Sequence, residues 1–133
     1  MNKIILTLIF SLIYFNSFAD KNMMIGSLGK IDEVDRTIKV VMYDNYYEPS
    51  SFSIKSGETI KFEVVNAGEL VHEFNIANAM MHIKHQPEME KMVENEILLA
   101  DSIDKDKMKK MAKMDKSMGH SHSNSVLLEP NEK

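Results

Sequence analysis

The chain has 133 residues, a formal net charge of −4 at pH 7 and no cysteine. This length suits one modest domain, and the mildly acidic balance argues against a surface that binds nucleic acid. Disulfide bonds and thiolate metal ligands are excluded in these residues, so the fold must depend on packing or on a metal held by other donors. Methionine is overrepresented, with 12 residues, which makes thioether sulfur the abundant soft donor.

The first 19 residues have the three regions of a secretory signal peptide. A lysine near the start precedes the apolar run Ile4–Phe18, and Ala19 supplies the small residue before the cleavage point. Asp20 and Lys21 end this run. The run is therefore shorter than the about 20 apolar residues that a membrane span requires. We therefore expect cleavage after Ala19 and export to the periplasm or the medium without a stable membrane anchor. An uncleaved anchor is the alternative.

The segment after the predicted cleavage point changes from a lead-in to a run of strands. Residues 20–32 are small, polar and dotted with glycine, which predicts a flexible lead-in before a domain that begins at residue 33. Alternating apolar residues then predict four consecutive strands. The glycine turn at 55–59 indicates a hairpin between the second and third, and the absence of intervening helices favours an antiparallel sandwich or barrel. These strands are Thr37–Met42, Ser51–Lys55, Thr59–Val65 and a fourth that starts at Val71.

Helix-forming residues replace this alternation after Ile76. Pro87 is predicted to lie in the first turn of one helix. Asp104 is predicted to cap a second helix that runs to about Met118, where Gly119 ends it. A flexible link, GHSHSNS, and a short strand with a turn, SVLLEP, complete the chain.

His72 is the first candidate metal ligand. On a strand it shares a face with Phe74 and Ile76, so its ring is expected to point toward the apolar interior. Imidazole is a common ligand for copper and zinc, and the rim of a sandwich is a suitable place for such an ion. The alternative is structural, with the ring nitrogens satisfied by the backbone or by Glu69 or Glu73.

A methionine-rich stretch is the second candidate. At 100° per residue, four methionines lie on one face of the predicted second helix, opposite a face of lysines. Thioether sulfur selects Cu(I), and spacings of three and four residues let two or three sulfurs approach one ion. Ordinary core packing by a flexible side chain is the alternative. The four residues are Met108, Met111, Met114 and Met118.

The remaining histidines occur as two pairs. His82 and His85 are three residues apart and could share one ion on the first predicted helix, with ordinary exposed histidines as the alternative. An unbroken helix would align His85 with three methionines, although Pro87 argues against it. His120 and His122 lie in the tract MGHSH, whose composition is typical of loose copper binding or of a plain polar linker. The three methionines are Met81, Met89 and Met92.

The segment DNYYEPSSFSIKSGETIKFEVVNAGELVHEFNI (Asp44–Ile76), together with NSVLLEP further on, resembles the cupredoxin family. The similarity is to exported plastocyanin- or azurin-like copper-binding proteins with a Met/His-rich insertion after the first ligand histidine, and it covers roughly residues 33–133. It implies a Greek-key β-sandwich that binds copper, with His72 as the first ligand. The family takes a cysteine, a second histidine and usually a methionine from a loop between the last two strands, and this C-terminal ligand loop is missing here.

The sequence thus predicts a mainly β fold: an incomplete cupredoxin-like Greek-key β-sandwich with an α-helical Met/His-rich insertion at about 77–124 and without the final strands. The predicted function is an exported protein that binds or hands on copper through His72 and the Met/His residues. A copper-handling or redox protein is the candidate partner. Electron transfer is disfavoured because a blue-copper site needs a thiolate, and no catalytic motif predicts an enzyme. The alternative is a truncated or split relative that needs a second polypeptide or lacks function.

Overall fold

The computed structural model describes residues 25–133, so the signal peptide predicted for residues 1–19 lies outside the described residues. Within 25–133, no helix is long and apolar enough to cross a membrane. The elements in chain order are β1 (Arg36–Met42), β2 (Tyr47–Glu48), β3 (Ile60–Asn66), β4 (His72–Asn75), α1 (Ala79–Glu94), α2 (Lys105–Ala112) and β5 (Ser125–Leu128), with short 3₁₀ turns at Ile31–Glu33 and Lys116–Gly119.

The strands form two small sheets. β1 lies in the middle of the first sheet, antiparallel to β2 and parallel to β3, with Val40 opposite Val64. β4 and β5 form the second sheet as an antiparallel pair, in which His72 is opposite Leu128. The strand predicted within residues 125–130 is confirmed.

The two sheets enclose a shared apolar core. Alternation along β1 buries Ile38, Val40 and Met42 on one side of the first sheet, and Leu128 of the second sheet is buried against them. The two sheets thus pack face to face across this core. The partly buried residues that complete this first core are Tyr47, Ile60, Phe62, Val64, Phe74 and Val126.

A second core lies on the other side of the β4–β5 sheet, under the helices. Its partly buried members include Val71 and Leu127. Each is the sequence neighbour of a residue that faces the first core, so the alternation of side chains turns it toward the opposite side. The β4–β5 sheet is therefore a middle layer, with the first sheet on one side and the helices on the other. The fully or nearly fully buried residues of this second core are Met92, Ile97, Ile103 and Met118.

The helical layer makes the fold mixed α/β, and the prediction of a mainly β fold is wrong. α1 alone has 16 residues, whereas the longest strands have seven. The Met-, Lys- and Glu-rich segment is more than an appendage on the surface of the sheets. It supplies Met92 and Met118 to a core of its own, and burial of these apolar side chains stabilises the helical layer.

The predicted hairpin between residues 51–55 and 59–65 is also wrong, because residues 51–59 form no strand and β3 pairs in parallel with β1. Side-chain contacts, and not hydrogen bonds between strands, hold residues 51–59 in place. The guanidinium of Arg36 donates to the Ser53 carbonyl and lies 3.1 Å from the Glu58 carboxylate. Phe52 packs on Phe62 with ring centroids 5.4 Å apart. An alternating apolar pattern thus marks a segment that contacts the core without strand pairing.

α1 continues through Pro87, which lies in its interior and not in its first turn as predicted. Asn78 is the cap residue, and its side chain accepts a hydrogen bond from the Met81 amide at 2.9 Å. Proline removes the hydrogen bond to the carbonyl four residues earlier, which here belongs to Ile83. Both residues lie on the exposed side of the helix, where water can satisfy that carbonyl.

α2 begins as predicted and ends earlier than predicted. The Asp104 side chain accepts a hydrogen bond from the Lys107 amide at 2.8 Å, which confirms the N-cap. The helix ends at Ala112, and Asp115 then caps a 3₁₀ turn that ends in His120, a left-handed residue with φ of 42°. Two successive aspartate caps therefore divide the predicted single helix into two pieces.

Candidate metal centre

Strand β4 carries metal-donor side chains on both of its faces. His72 lies toward the first core, where its ring is 6.0 Å from that of Tyr47 in an edge-to-face arrangement. Glu73 points in the opposite direction, toward the helical layer, because consecutive side chains of a strand alternate. The two faces of β4 consequently belong to two separate groups of donors.

On the helical side, three histidines meet two carboxylates in what we call the histidine cluster. The ring centroids of its histidines lie 5.0–5.3 Å apart. The members come from three segments that are distant in sequence: β4, α1 and the link that precedes β5. The histidine cluster consists of Glu73, His85, Glu88, His120 and His122.

The inner part of the histidine cluster is a triangle of donor atoms. His85 Nε2 lies 3.0 Å from Glu73 Oε1 and 3.3 Å from His120 Nε2, and the third side, from His120 Nε2 to Glu73 Oε1, is 3.2 Å. Zinc or copper lies about 2.0–2.2 Å from nitrogen and oxygen ligands, so donors at these separations can all bind one ion. The triangle therefore fits a metal ion without rearrangement of the backbone.

The outer part uses the other ring nitrogen of His85. His85 Nδ1 lies 3.3 Å from Glu88 Oε2, and His122 Nε2 lies 2.8 Å from the same oxygen. His85, Glu88 and His122 each offer one ligand atom, and these atoms lie within 4.8 Å of one another. His85 is thus common to both donor groups.

The unbroken α1 helix positions His85. Met89 and Met92 follow His85 at helical spacing and pack into the second core, which fixes the rotation of α1 and turns His85 toward β4. Glu88 is three residues from His85 and lies on the same side. The alignment that the sequence predicted only for an unbroken helix is present, because Pro87 does not end α1.

Met118 positions the other two histidines. Its side chain is 3% exposed and anchors the 3₁₀ turn in the second core. His120 follows in a left-handed conformation, and His122, two residues later, lies against Glu88. A buried anchor followed by a tight bend therefore brings the MGHSH tract back onto α1.

Burial decreases from the inner to the outer part of the histidine cluster. The side chains of His120 and His85 are 3% and 10% exposed, whereas that of His122 is 34% exposed. Burial of Glu73 would raise its pKa, but the hydrogen bond from His120 and the charges of His85 and His120 outweigh it and hold the pKa below its usual value. Glu73 is consequently an ionised carboxylate, which is the form that binds a metal.

A cavity of about 210 Å³ opens at the outer end of the cluster. The wall of this cavity contains the outer donors, one thioether side chain and several polar side chains. His85 and His122 thus both border a space that opens to the surface. The donor, thioether and polar residues of this wall are Met81, Lys84, His85, Glu88, His122 and Asn124.

On the opposite face of β4, His72 is held by an aspartate. His72 Nε2 lies 2.9 Å from Asp44 Oδ1, and the Asp44 carboxylate also accepts hydrogen bonds from the amides of Glu69 and Leu70 at 3.0 and 3.1 Å. The hydrogen bond with His72, followed by that from Glu69, lowers the pKa of Asp44. A β-carbon on Gly68 would collide with the Asp44 carboxylate, so only glycine permits this approach.

The Asp44–His72 pair differs from both structural partners that the sequence suggested. Glu73 lies on the other face of β4, and Glu69 contributes only its backbone amide, to Asp44. Metal-binding histidines commonly donate their second ring nitrogen to a carboxylate, which fixes the ring. Asp44 at Nε2 leaves Nδ1 as the nitrogen with which His72 could bind an ion.

The structure separates the other predicted ligands. Met108, Met111 and Met118 pack into or against the second core, whereas Met114 is 85% exposed, so the four thioethers do not form one donor group. His82 lies on the exposed side of α1, and the donor groups found among residues 25–133 do not include it.

Three carboxylates of these groups were missed by the sequence prediction of ligands. Glu73 was considered only as a partner of His72, although strand alternation with His72 places it on the opposite face. Glu88 is recognisable from its spacing to His85, once α1 is known to continue through Pro87. Asp44 lies in a predicted turn 28 residues before His72, and no local pattern connects the two.

Comparison with known proteins identifies the class. A family profile described as a cupredoxin-like domain matches residues 5–100, so the chain belongs to this family, and the resemblance found in the sequence is confirmed. The chain is similar to the copper-resistant cuproprotein CopI of Pseudomonas aeruginosa, with 39% identity over 119 residues that cover 79% of this chain and 61% of the relative. It is also similar to the copper-resistant cuproprotein CopI of Rubrivivax gelatinosus, with 31% identity over 74 residues that cover 55% of this chain and 45% of the relative. The matches thus span less than two thirds of either relative. No solved structure matches the chain.

Proposed function

We propose that this protein is an exported copper-binding protein of the copper-resistance type, which holds copper in the histidine cluster and hands it on to a copper-handling partner. The observation that carries the proposal is the triangle of Glu73, His85 and His120, with donor atoms 3.0–3.3 Å apart. Membership of the cupredoxin-like family and similarity to two copper-resistant cuproproteins support copper as the ion.

The donor set suits reversible binding of copper. Imidazole nitrogen binds copper well, and the carboxylates offset the charge of the ion. His120 is buried and Glu73 is partly buried, while His122 reaches solvent at the cavity, so an ion can enter and leave through the outer group. Electron transfer of the blue-copper type is not part of the proposal, because these residues include no thiolate.

His72 is proposed as a second copper ligand on the sandwich side, as the family resemblance implies. The support from the structure is Asp44, which fixes the ring through Nε2. The incomplete Greek-key sandwich predicted from the sequence is also part of this proposal, and the core that the two sheets share supports it.

Copper titration tests the proposal. We expect the purified protein to retain Cu(II) against a weak competitor such as glycine, and Cu(I) against bicinchoninate. His85→Ala should weaken copper binding at the cluster by at least about tenfold, because it removes a ligand from both donor groups. His82→Ala is the matched control, since His82 lies on the exposed side of the same helix. Failure of the unsubstituted protein to retain copper, or equal retention by His85→Ala, would overturn the proposal.

Export is tested separately. Mass spectrometry of the protein recovered from a bacterial host should find an N-terminus at Asp20, in the periplasmic fraction or the medium. Recovery of the protein in the cytoplasm with residues 1–19 still attached would contradict export and leave the copper titration unaffected.

A further inference from the structure

The ring of His85 contributes one nitrogen to each of the two donor groups of the histidine cluster. We propose that His85 bridges two metal ions as an imidazolate. One ion is held at Nε2 with Glu73 and His120, and the other at Nδ1 with Glu88 and His122. This inference rests on the proposed function, because it assigns two ions to the site that the proposed function assigns to copper.

Geometry requires two ions if both groups are occupied at once. The lone pairs of the two imidazole nitrogens point away from each other, so a single ion cannot bind both. Glu73 lies 3.0 Å from Nε2 and Glu88 lies 3.3 Å from Nδ1, so each nitrogen has a carboxylate of its own. Each of these two carboxylates also has a histidine of its own beside it, His120 at 3.2 Å from Glu73 and His122 at 2.8 Å from Glu88.

The charges of the cluster also favour two ions. Two divalent cations close together repel each other, and they require anionic ligands to offset their charge. Glu73, Glu88 and the imidazolate of His85 supply three negative charges, one of them shared between the ions. Lys84, in the wall of the cavity at the outer end, is a positive charge that partly opposes the effect of these anions.

The proton balance of loading is simple. A neutral His85 has one N–H and one free nitrogen, whereas a charged His85 has an N–H at both nitrogens. The first ion binds the free nitrogen of the neutral ring, or displaces one proton to the solvent from the charged ring. The second ion replaces the proton on the other nitrogen, and this proton passes to the solvent, as in other cases where a metal displaces a ligand proton. No electron is transferred, so the step needs no oxidant or reductant.

The experiment is a Cu(II) titration followed by electron paramagnetic resonance and by metal analysis after gel filtration. The protein carries His72→Ala, so that an ion on the other face of β4 does not contribute. We expect two copper ions per chain. Recorded at liquid-helium temperature, the resonance intensity should rise with the first ion and largely disappear with the second, because two Cu(II) centres that share an imidazolate couple weakly and antiferromagnetically and only the non-magnetic pair state is then populated.

Two further variants in the same background assign the bridge. His122→Ala should bind one copper ion with full resonance intensity, because it removes the outer group only. His85→Ala should show no coupled pair at any loading. His82→Ala is the control and should reproduce both the two ions and the loss of intensity. Circular dichroism of each variant checks that the helical layer is retained.

Three results separate this inference from the proposed function. Saturation at one copper ion would overturn the bridge and leave the copper-binding function intact. Two ions with undiminished resonance intensity would also overturn the bridge, because the ions would not share a ring. Loss of all copper binding in the unsubstituted protein would overturn both proposals.

Discussion

The two faces of β4 present histidine in two different settings. His72 is held by Asp44, 28 residues earlier, through turns of the β framework and a close approach at Gly68. On the other face, Glu73 meets His85, 12 residues later, and His85 in turn meets His120 after a further 35 residues. The first group depends on the β framework and the second on the packing of the helices, so each can be disrupted while the other persists.

The largest expected effect comes from Met92→Ala. Met92 is fully buried in the second core, and its truncation should lower the free energy of unfolding by about 2–5 kcal/mol because it leaves a cavity under α1. Copper binding at the histidine cluster should weaken, since α1 carries His85. Urea unfolding followed by circular dichroism measures the first effect. Met114→Ala, which changes an exposed methionine, should stay within about 0.5 kcal/mol of the parent. Equal losses in the two variants would show that the second core does not stabilise the helical layer.

Glu73→Gln tests the histidine cluster with little change of shape. The amide is neutral and a weaker ligand, so copper affinity at the cluster should fall by at least about tenfold, which is the loss caused by removal of even an outer-shell partner. Competition titration in the His72→Ala background measures it. Glu63→Gln is the control, because Glu63 is an exposed carboxylate on β3 that pairs with Lys61. Unchanged affinity in Glu73→Gln would remove this carboxylate from the proposed ligands.

Asp44→Asn tests the opposite face. The neutral amide holds the His72 ring less firmly, so copper affinity there should fall by about tenfold in a His85→Ala background, in which the cluster is disabled. Gly68→Ala should have the same effect through a collision with the Asp44 carboxylate. A loss of copper from the cluster in either variant, measured with His85 intact, would contradict the independence of the two faces.

The smallest effect is expected at Lys105, which lies on neither face of β4. Its ammonium group is 2.7 Å from Glu129 and 2.6 Å from Glu132, and hydrogen bonds with it lower the pKa of both carboxyls. Their stabilising contribution is therefore present above the pKa values of the unfolded chain and is lost as the pH falls through the lowered folded values. The pKa of Lys105 is raised by Glu129 first and then Glu132, so its contribution is lost as the pH rises through that raised value.

Unfolding of Lys105→Ala and of the parent across a range of pH measures this contribution. The difference in free energy of unfolding should be small at neutral pH, should shrink with added salt and should vanish in acid and in alkali. Lys109→Ala, on the exposed side of α2, is the control and should give no such profile. A difference that persists at low pH would show that Lys105 acts through packing and not through its ion pairs.

Local patterns predicted much of the secondary structure. The buried alternation of β1, the strand that begins near Val71, the short strand at β5 and the Asp104 cap are all read directly from neighbouring residues. The errors arose where one local signal was given too much weight. Phe52 and its neighbours alternate like a strand but contact the core from an irregular segment, and Pro87 predicts the first turn of a helix that in fact begins at Ala79.

The site was less predictable, because its members meet only through tertiary packing. Each of His85, His120 and His122 was a candidate from composition, and yet no spacing in the sequence joins residue 85 to residue 120. That contact depends on Met118, whose burial in the second core is not distinguishable by sequence from the exposure of Met114. The same helical pattern of methionines was compatible with a thioether metal site and with a core, and the structure assigns three of the four to the core.

The register of β4 on β5 determines which donor side chains face the first core and which face the helical layer. Only four residue pairs, from His72 with Leu128 to Asn75 with Ser125, hold this alignment. A slip of one residue would reverse every side chain, which would place a carboxylate against the aromatic rings of the sandwich and an imidazole under the helices. A substitution that shifted this short ladder by one residue would therefore exchange the faces that His72 and Glu73 occupy, and the donor group on each side would lose a member.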